Sequence, residues 1–587
     1  MFLGLVILRF AFQNPIMKFQ KHFLASLAAI GFSLGHVSIA QADSVTELGS
    51  LYGDYLAASY ADEIDNMEAR QSYFAKAFET APKDIRLGRR AIVAAIENGD
   101  MDAAIKYAER VYKLNKNEAM ARGVLGVNAY LKGRDSRALK YFEGSSDDIT
   151  MVILMRLVKG WIEVDRGDFD AARDIFNGLE GAPYFTDLGK LQSAKVDVLD
   201  GKFDNAEAKL DEVDASGVAG VEAILTRTQL LVEQNKTEEA LSRLVEVLED
   251  NERLSISPVA DYKTRLDEGR DLPKISNRDH VARALTDPGF GFFLQNRSRD
   301  GAVLYLRFAR WVEPKYQKSA LWLGNLLEDR GEHGEIVAHE LYESIPTDDP
   351  FYLRAQLALA QIYFNQEKDD KAIEVLEALN ARVNSLLTRE SLGRARFFRE
   401  NYAEALPFYD RIVDAMTDEE IKANVEPLRF RGIIFERLKR WPEAEADFKR
   451  VLEFAPEDVD TLNYLGYTWV DRGENLEEAF DMIERALEQS PNSGAITDSL
   501  GWAHYKLGNY VEAKNYLEDA VALSPSSATI IDHLGDAYWQ LGRKREAGFQ
   551  WQRALLFEPT DEEKSNIDVK LNGGLEALAP VSPSPLP

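Results

Sequence analysis

From Ile530 to Pro559 the apolar positions fall three and four residues apart in two runs parted by Gly542. That spacing predicts two short amphipathic helices joined by a tight turn. Leu534, Tyr538 and Trp551 supply bulk, whereas Gly535 and Ala547, twelve residues apart, supply one small position on each helix. Small residues there let two backbones approach, and a bulky one would overpack at a cost of about 1–3 kcal/mol. Ala554 opens a third close contact toward whatever follows. Pro559 stops the second helix because it has no N–H to give to a helix interior.

The same grid recurs upstream. Gly501, Ala513, Leu517, Ala520 and Pro525 repeat it, as do Gly466, Ala479, Ile483, Ala486 and Pro491 with one residue inserted. Gly432, Phe435, Ala444, Phe448 and Pro456 form a fourth copy, and weaker ones centre on Ala405, Ala372, Ile336 and Ala302. In the amino-terminal half the small position of the second helix falls at Ala104, Ala138, Ala172, Ala206 and Ala240, each 34 residues from the last. Together these give about fourteen helix pairs, six before an interruption and eight after it. One helix pair cannot bury its apolar face alone, so the pairs are expected to stack and share one continuous core.

The grid fails between Glu252 and Asp279, a polar stretch containing Pro258, Gly269 and Pro273. Two readings stay open there: a long loop or hinge over 252–285, and a capping excursion with short irregular helices. The expected organisation is an amino-terminal array over 43–251, the hinge or loop, a carboxy-terminal array over 286–562, and a tail over 563–587. Proline density in ALAPVSPSPLP predicts that the tail is disordered.

The first 42 residues stand apart from this pattern. From Met17, Lys18 and Lys21 precede an apolar stretch Phe23–Leu34 and small residues ending at Ala40, Gln41 and Ala42. That order is the layout of a secretory signal peptide, with Met17 as the true start and cleavage after Ala42. The apolar stretch, of about 12 residues, is short for a bilayer span. No other segment is long and apolar enough, so the expected product is an exported, soluble, periplasmic protein without an integral membrane span.

The chain of 587 residues carries a formal charge of −28, and cysteine is absent. Disulfides, thiolate metal sites and a cysteine nucleophile are therefore excluded, and so is lipid anchoring through an amino-terminal cysteine. Such an acidic chain should be repelled by nucleic acid and steered toward basic partners. Candidate chemistry is sparse. The histidines form no H-E-x-x-H arrangement, and His333 and His339 lie six apart, on different sides of a helix. Phosphate-binding loops and nucleophile elbows are missing. No catalytic, metal or cofactor-binding residue is expected, and the chain is read as a non-enzyme.

The L-G-x2-Y, A-x3-F and P spacing over Leu534–Pro559 resembles the tetratricopeptide repeat family. The resemblance implies an all-α fold, a right-handed α-solenoid of about fourteen such pairs interrupted once near 252–279. It also implies that the first helices line an inner surface that binds protein or peptide partners. Counted from each repeat glycine, the inward slots hold Asn463, Tyr467, Asp498, Trp502, Tyr505, Asp532, Asp536 and Trp539, an aromatic and acidic set. Trp469 and Trp551 fall on core positions instead. The runs DSLGWAHYKLG and DHLGDAYWQLGR are similar to those of bacterial envelope repeat proteins, some of which are adaptor lipoproteins of carboxy-terminal-processing proteases. What this implies is a scaffold or adaptor for cell-envelope maintenance, with an envelope protease among its partners. The alternative is a structural subunit of an envelope polysaccharide synthesis or export complex.

Overall fold

The computed structural model describes residues 42–179, 183–215, 220–250, 257–294 and 299–578. The expected signal peptide, Ala42 apart, and the last nine residues of the tail lie outside them. Among the described residues there are 31 α-helices and no strand. Fourteen helix pairs run in chain order. Six span Ala42–Glu63 with Met67–Thr80 to Val221–Glu233 with Thr237–Asp250, and eight span Asn277–Leu294 with Arg299–Val312 to Ala528–Gln540 with Lys544–Ala554. Pro258–Asp267, Asp418–Ala423 and Asp561–Gly573 are additional helices outside the pairs.

Local chemistry explains the pairing. Inside the second to fifth pairs the turn needs one residue with positive φ, supplied by Gly99, Gly133, Gly167 and Gly201 at intervals of 34. The next turn in the series uses Asn235, a residue type that tolerates the left-handed region. Asp100 and Asp168 then cap the following helices by accepting from the backbone N–H of Ala103 and Ala171.

Core packing follows the predicted grid. Ala104, Ala138, Ala172, Ala206 and Ala240 are each 0% exposed. The repeat glycines are small because a large side chain sixteen or seventeen residues later lies on them. A Cβ on Gly126 would meet the Phe142 ring at 2.1 Å, on Gly160 the Phe176 ring at 2.4 Å, and on Gly535 the Trp551 ring at 2.5 Å. One copy was misplaced by the pattern: Ile336 is 50% exposed, and Ala338 holds the buried slot.

The chain divides into two compact units, residues up to Val245 with Tyr262–Val337, and Glu246–Asp261 with Ala338 onward. The stretch 252–285 holds the helix Pro258–Asp267, with Val259 and Tyr262 buried, and the first half of Asn277–Leu294. Pro258 begins that helix, where its missing N–H costs nothing, and Gly269 closes it at φ 66°.

In the first unit the pair Asn277–Leu294 and Arg299–Val312 lies along the first helices of the amino-terminal repeats. Arg307 Nε donates to the carbonyl of Glu97 at 3.0 Å, and Arg278 Nη2 to that of Leu131 at 2.9 Å. The Asn277 amide donates to the Asp165 carboxylate. Positions 97, 131 and 165 are again 34 apart, each in the last turn of a first helix. Helix carboxy-termini present unpaired carbonyls and a negative dipole end, so guanidinium and amide donors suit them. Arg299–Val312 buries Ala302, Val303, Leu304, Tyr305, Leu306, Phe308, Ala309 and Val312, which are spread around the helix rather than along one stripe. A helix apolar on several sides belongs in a core.

The carboxy-terminal end also departs from expectation. Residues 561–573 form a helix opened by a Thr560–Glu563 capping box, and Ile567 is buried against the last repeat. The predicted disorder is therefore overturned for 563–578, because an apolar face and a cap outweigh the proline-rich segment that follows.

Candidate functional site

In the second unit the predicted inward slots lie on Val459–Arg472, Gly494–Lys506 and Ala528–Gln540. Trp502 stacks on Tyr505, with ring centroids 4.6 Å apart and 4° between planes, and on His533 at 4.0 Å and 14°. Its indole N–H points to Asp471 Oδ1 at 3.5 Å. Lys506 Nζ lies 3.1 Å from the same carboxylate, tying neighbouring repeats together across this face. Asp498 is buried and receives His533 Nδ1 at 2.9 Å. Burial pulls His533 down, but Asp498 outweighs it and holds the imidazole above its usual range.

Asp532 and Asp536 are already engaged by the terminal helix, and Trp539 by the turn that follows it. Lys570 Nζ sits 2.7 Å from Asp532 and 2.8 Å from Asp536, while Trp551 Nε1 donates to Asp536 at 2.9 Å. Burial and the Asp532 charge push the Asp536 carboxyl up to about 6. Trp539 Nε1 donates to Glu576 at 3.3 Å, and Lys544 lies 4.3 Å from the Trp539 ring centroid. The acidic slots thus do take a cation, supplied by the chain itself.

Tyr505 is half-buried and accepts from Gln540 at 3.3 Å. Asn463 and Tyr467 share one helix face one turn apart, and Asn463 Oδ1 is buried without a hydrogen-bond partner. Burial, with the charges of Asp471 and Asp498, raises the Tyr467 hydroxyl pKa. Trp469 and Trp551 are buried in the core, as the pattern implied.

Sequence reasoning missed Phe398. It stands five residues after Gly393, the register of Asp471 and Lys506, and is 65% exposed. Phe430 and Phe397 back it, with centroids 6.4 and 5.4 Å away, and Phe397 meets Phe430 edge-on at 4.8 Å. Extending the glycine count upstream of the last three repeats would have found it.

The first unit holds a buried charge cluster. Glu222 accepts from Lys195 at 2.9 Å, Arg283 at 3.1 Å and the Tyr316 hydroxyl at 3.3 Å. Burial pushes this carboxyl up, but Lys195, Arg283 and Lys318 outweigh it and hold it well below the usual range. A cavity of about 10 Å³, the size of one water, is lined by Lys195, Glu222, Tyr262, His280 and Arg283. His280 stacks on Trp161 at 4.2 Å, and burial together with Lys195 and Arg283 pushes it down to about 3.

Family models described as tetratricopeptide repeat match residues 90–147, 431–494 and 499–563, and a second such model matches 353–380. The chain carries tetratricopeptide repeats over those residues. It is 25% identical over 204 residues to a TPR repeat-containing protein of Pseudomonas aeruginosa, covering 32% of this chain and 31% of that one. The match thus spans less than a third of that relative's length. Among solved structures, a tetratricopeptide repeat protein from Parabacteroides merdae is 16% identical with a TM-score of 0.34, covering 50% of this chain and 97% of its own. The APC/C hetero-tetramer Cut9–Hcn1 is 14% identical with a TM-score of 0.35, covering 91% and 98%. A MamA protein of strain RS-1 is 18% identical with a TM-score of 0.25, covering 29% and 93%.

Proposed function

We propose that the protein is a non-catalytic scaffold that binds a protein or peptide partner along the inner register of its carboxy-terminal repeats. The observation that carries this reading is Phe398, a large aromatic left 65% exposed while backed by two further phenylalanines. Aromatic anchors dominate binding energy because they bring apolar area at little rotamer cost. The Trp502–Tyr505 stack presents rigid ring edges beside Asp471. The repeats themselves support a protein-interaction role.

In our reading the partner segment is extended and carries an apolar side chain for Phe398 together with a basic one, favoured by the net charge of −28. The leader over Met17–Ala42 supports export to the periplasm, and hence a role in the cell envelope, with an envelope protease as one partner to test. Amino-terminal sequencing of protein from a periplasmic extract checks the address, and a chain still beginning at Met17 in the cytoplasm refutes it.

A photo-crosslinking residue placed at Phe398 tests the surface. It should capture partners in cells, whereas the same residue at Phe549, equally exposed on the second helix of the last pair, should not. Equal capture at both positions would refute the assignment.

A further inference from the structure

We propose that Arg307 and Arg310, on the helix Arg299–Val312 of the first unit, form a binding site for a phosphate-class dianion. Four carboxylates stand near the start of this unit, and two other arginines take them. Arg70 Nη1 lies 2.8 Å from Asp62 and 2.7 Å from Glu97, while Arg330 reaches Asp65 at 2.8 Å and Asp300 at 3.0 Å. Arg307 and Arg310 are left without an ion pair to any carboxylate of the described residues.

Among the described residues Arg307 donates only its Nε, to the Glu97 carbonyl, and its Nη1 would lie 2.9 Å from a Cβ on Gly99. Its Nη2 and the Nη1 of Arg310 are buried and make no hydrogen bond. The two side chains are one helical turn apart, and both remain half-buried rather than sealed. Burial and the nearby Arg310 charge pull Arg307 down to about 10, so it stays charged at neutral pH. Burial likewise lowers Arg310.

A buried guanidinium without an anion costs stability, and proteins keep such groups where a ligand supplies the missing charge. In a chain with 98 acidic residues and 70 basic ones, two arginines one turn apart and without an ion pair among the described residues stand against the general excess. Two planar forks with total charge of two suit an oxyanion that carries about two negative charges and several acceptor oxygens. Inorganic phosphate and a phosphate monoester present the same group, the second on a larger body.

Isothermal titration calorimetry of the full chain at low ionic strength, with inorganic phosphate and separately with glycerol phosphate, tests the site. Acetate at matched ionic strength is the control. Binding of phosphate alone supports an enclosed site for the free ion, and binding of both supports one open to an ester. Arg310→Gln should weaken either by tenfold or more. Because Arg310 makes no hydrogen bond or ion pair among the described residues, this variant should fold, and without phosphate it should melt at or above the parent's temperature. No heat with either phosphate, binding equal to acetate, binding unchanged in Arg310→Gln, or a variant that melts lower without phosphate would each overturn the proposal.

Discussion

Lys570 Nζ lies 2.8 Å from both carboxylate oxygens of Asp536 and 2.7 Å from Asp532. The ammonium is almost wholly buried. Removing one partner of such a contact leaves buried charge uncompensated, which costs about 3–5 kcal/mol. Lys570→Ala should therefore lower the melting temperature and raise amide exchange in Ala528–Gln540. Unchanged exchange in that helix would show that the terminal helix does not stabilise the last repeat.

Glycine positions separate into two kinds. A Cβ on Gly160 would stand 2.4 Å from the Phe176 ring, so Gly160→Ala should cost about 1–3 kcal/mol by overpacking. A Cβ on Gly548 meets nothing within 4 Å, and that residue lies inside the helix Lys544–Ala554. Gly548→Ala should stabilise by about 0.5–1 kcal/mol through helix propensity. Urea denaturation of the two variants should move the midpoint in opposite directions.

Glu222 serves Lys195, Arg283 and Tyr316 at once. Glu222→Gln removes the anion and strands two buried cations, with an expected loss of about 3–5 kcal/mol. Hydrogen exchange should localise the loss to the first unit and leave the repeats after Ala338 unaffected. A uniform change across the chain would contradict this.

His280 is held neutral by burial and by Lys195 and Arg283, with its pKa down to about 3. A base whose folded pKa lies below the unfolded value, about 6.5, stabilises the fold fully above 6.5. That contribution is lost progressively as pH falls from 6.5 toward 3, because the unfolded chain binds the proton first. His280→Phe keeps the stack on Trp161 and should flatten this part of the stability–pH curve. An unchanged slope between pH 6.5 and 4.5 would show that His280 is not its source.

The site was legible only in part. Counting from Gly466, Gly501 and Gly535 brought Asn463, Tyr467, Trp502 and Tyr505 onto one register, because a helix fixes which residues share a face. The count could not show that Asp532, Asp536 and Trp539 are covered, since Lys570 and Glu576 come from a segment whose composition pointed to disorder. Nor could it show that Trp502 packs between Tyr505 and His533, an arrangement involving side chains 31 residues apart.

The sequence by itself determined the repeating unit: helices of set length, left-handed turn residues 34 apart, and glycine or alanine wherever a neighbour lies close. These are local consequences of backbone sterics and of side-chain size. Only the tertiary structure decided where the pair Asn277–Leu294 and Arg299–Val312 goes. Its Ala302 fits the grid like any other repeat alanine, yet its partners, Glu97, Leu131, Asp165 and Glu222, lie up to 210 residues away. Contacts at such separation depend on how the stacked helices curve and which carbonyls and charges they leave unmet, and no local spacing records that.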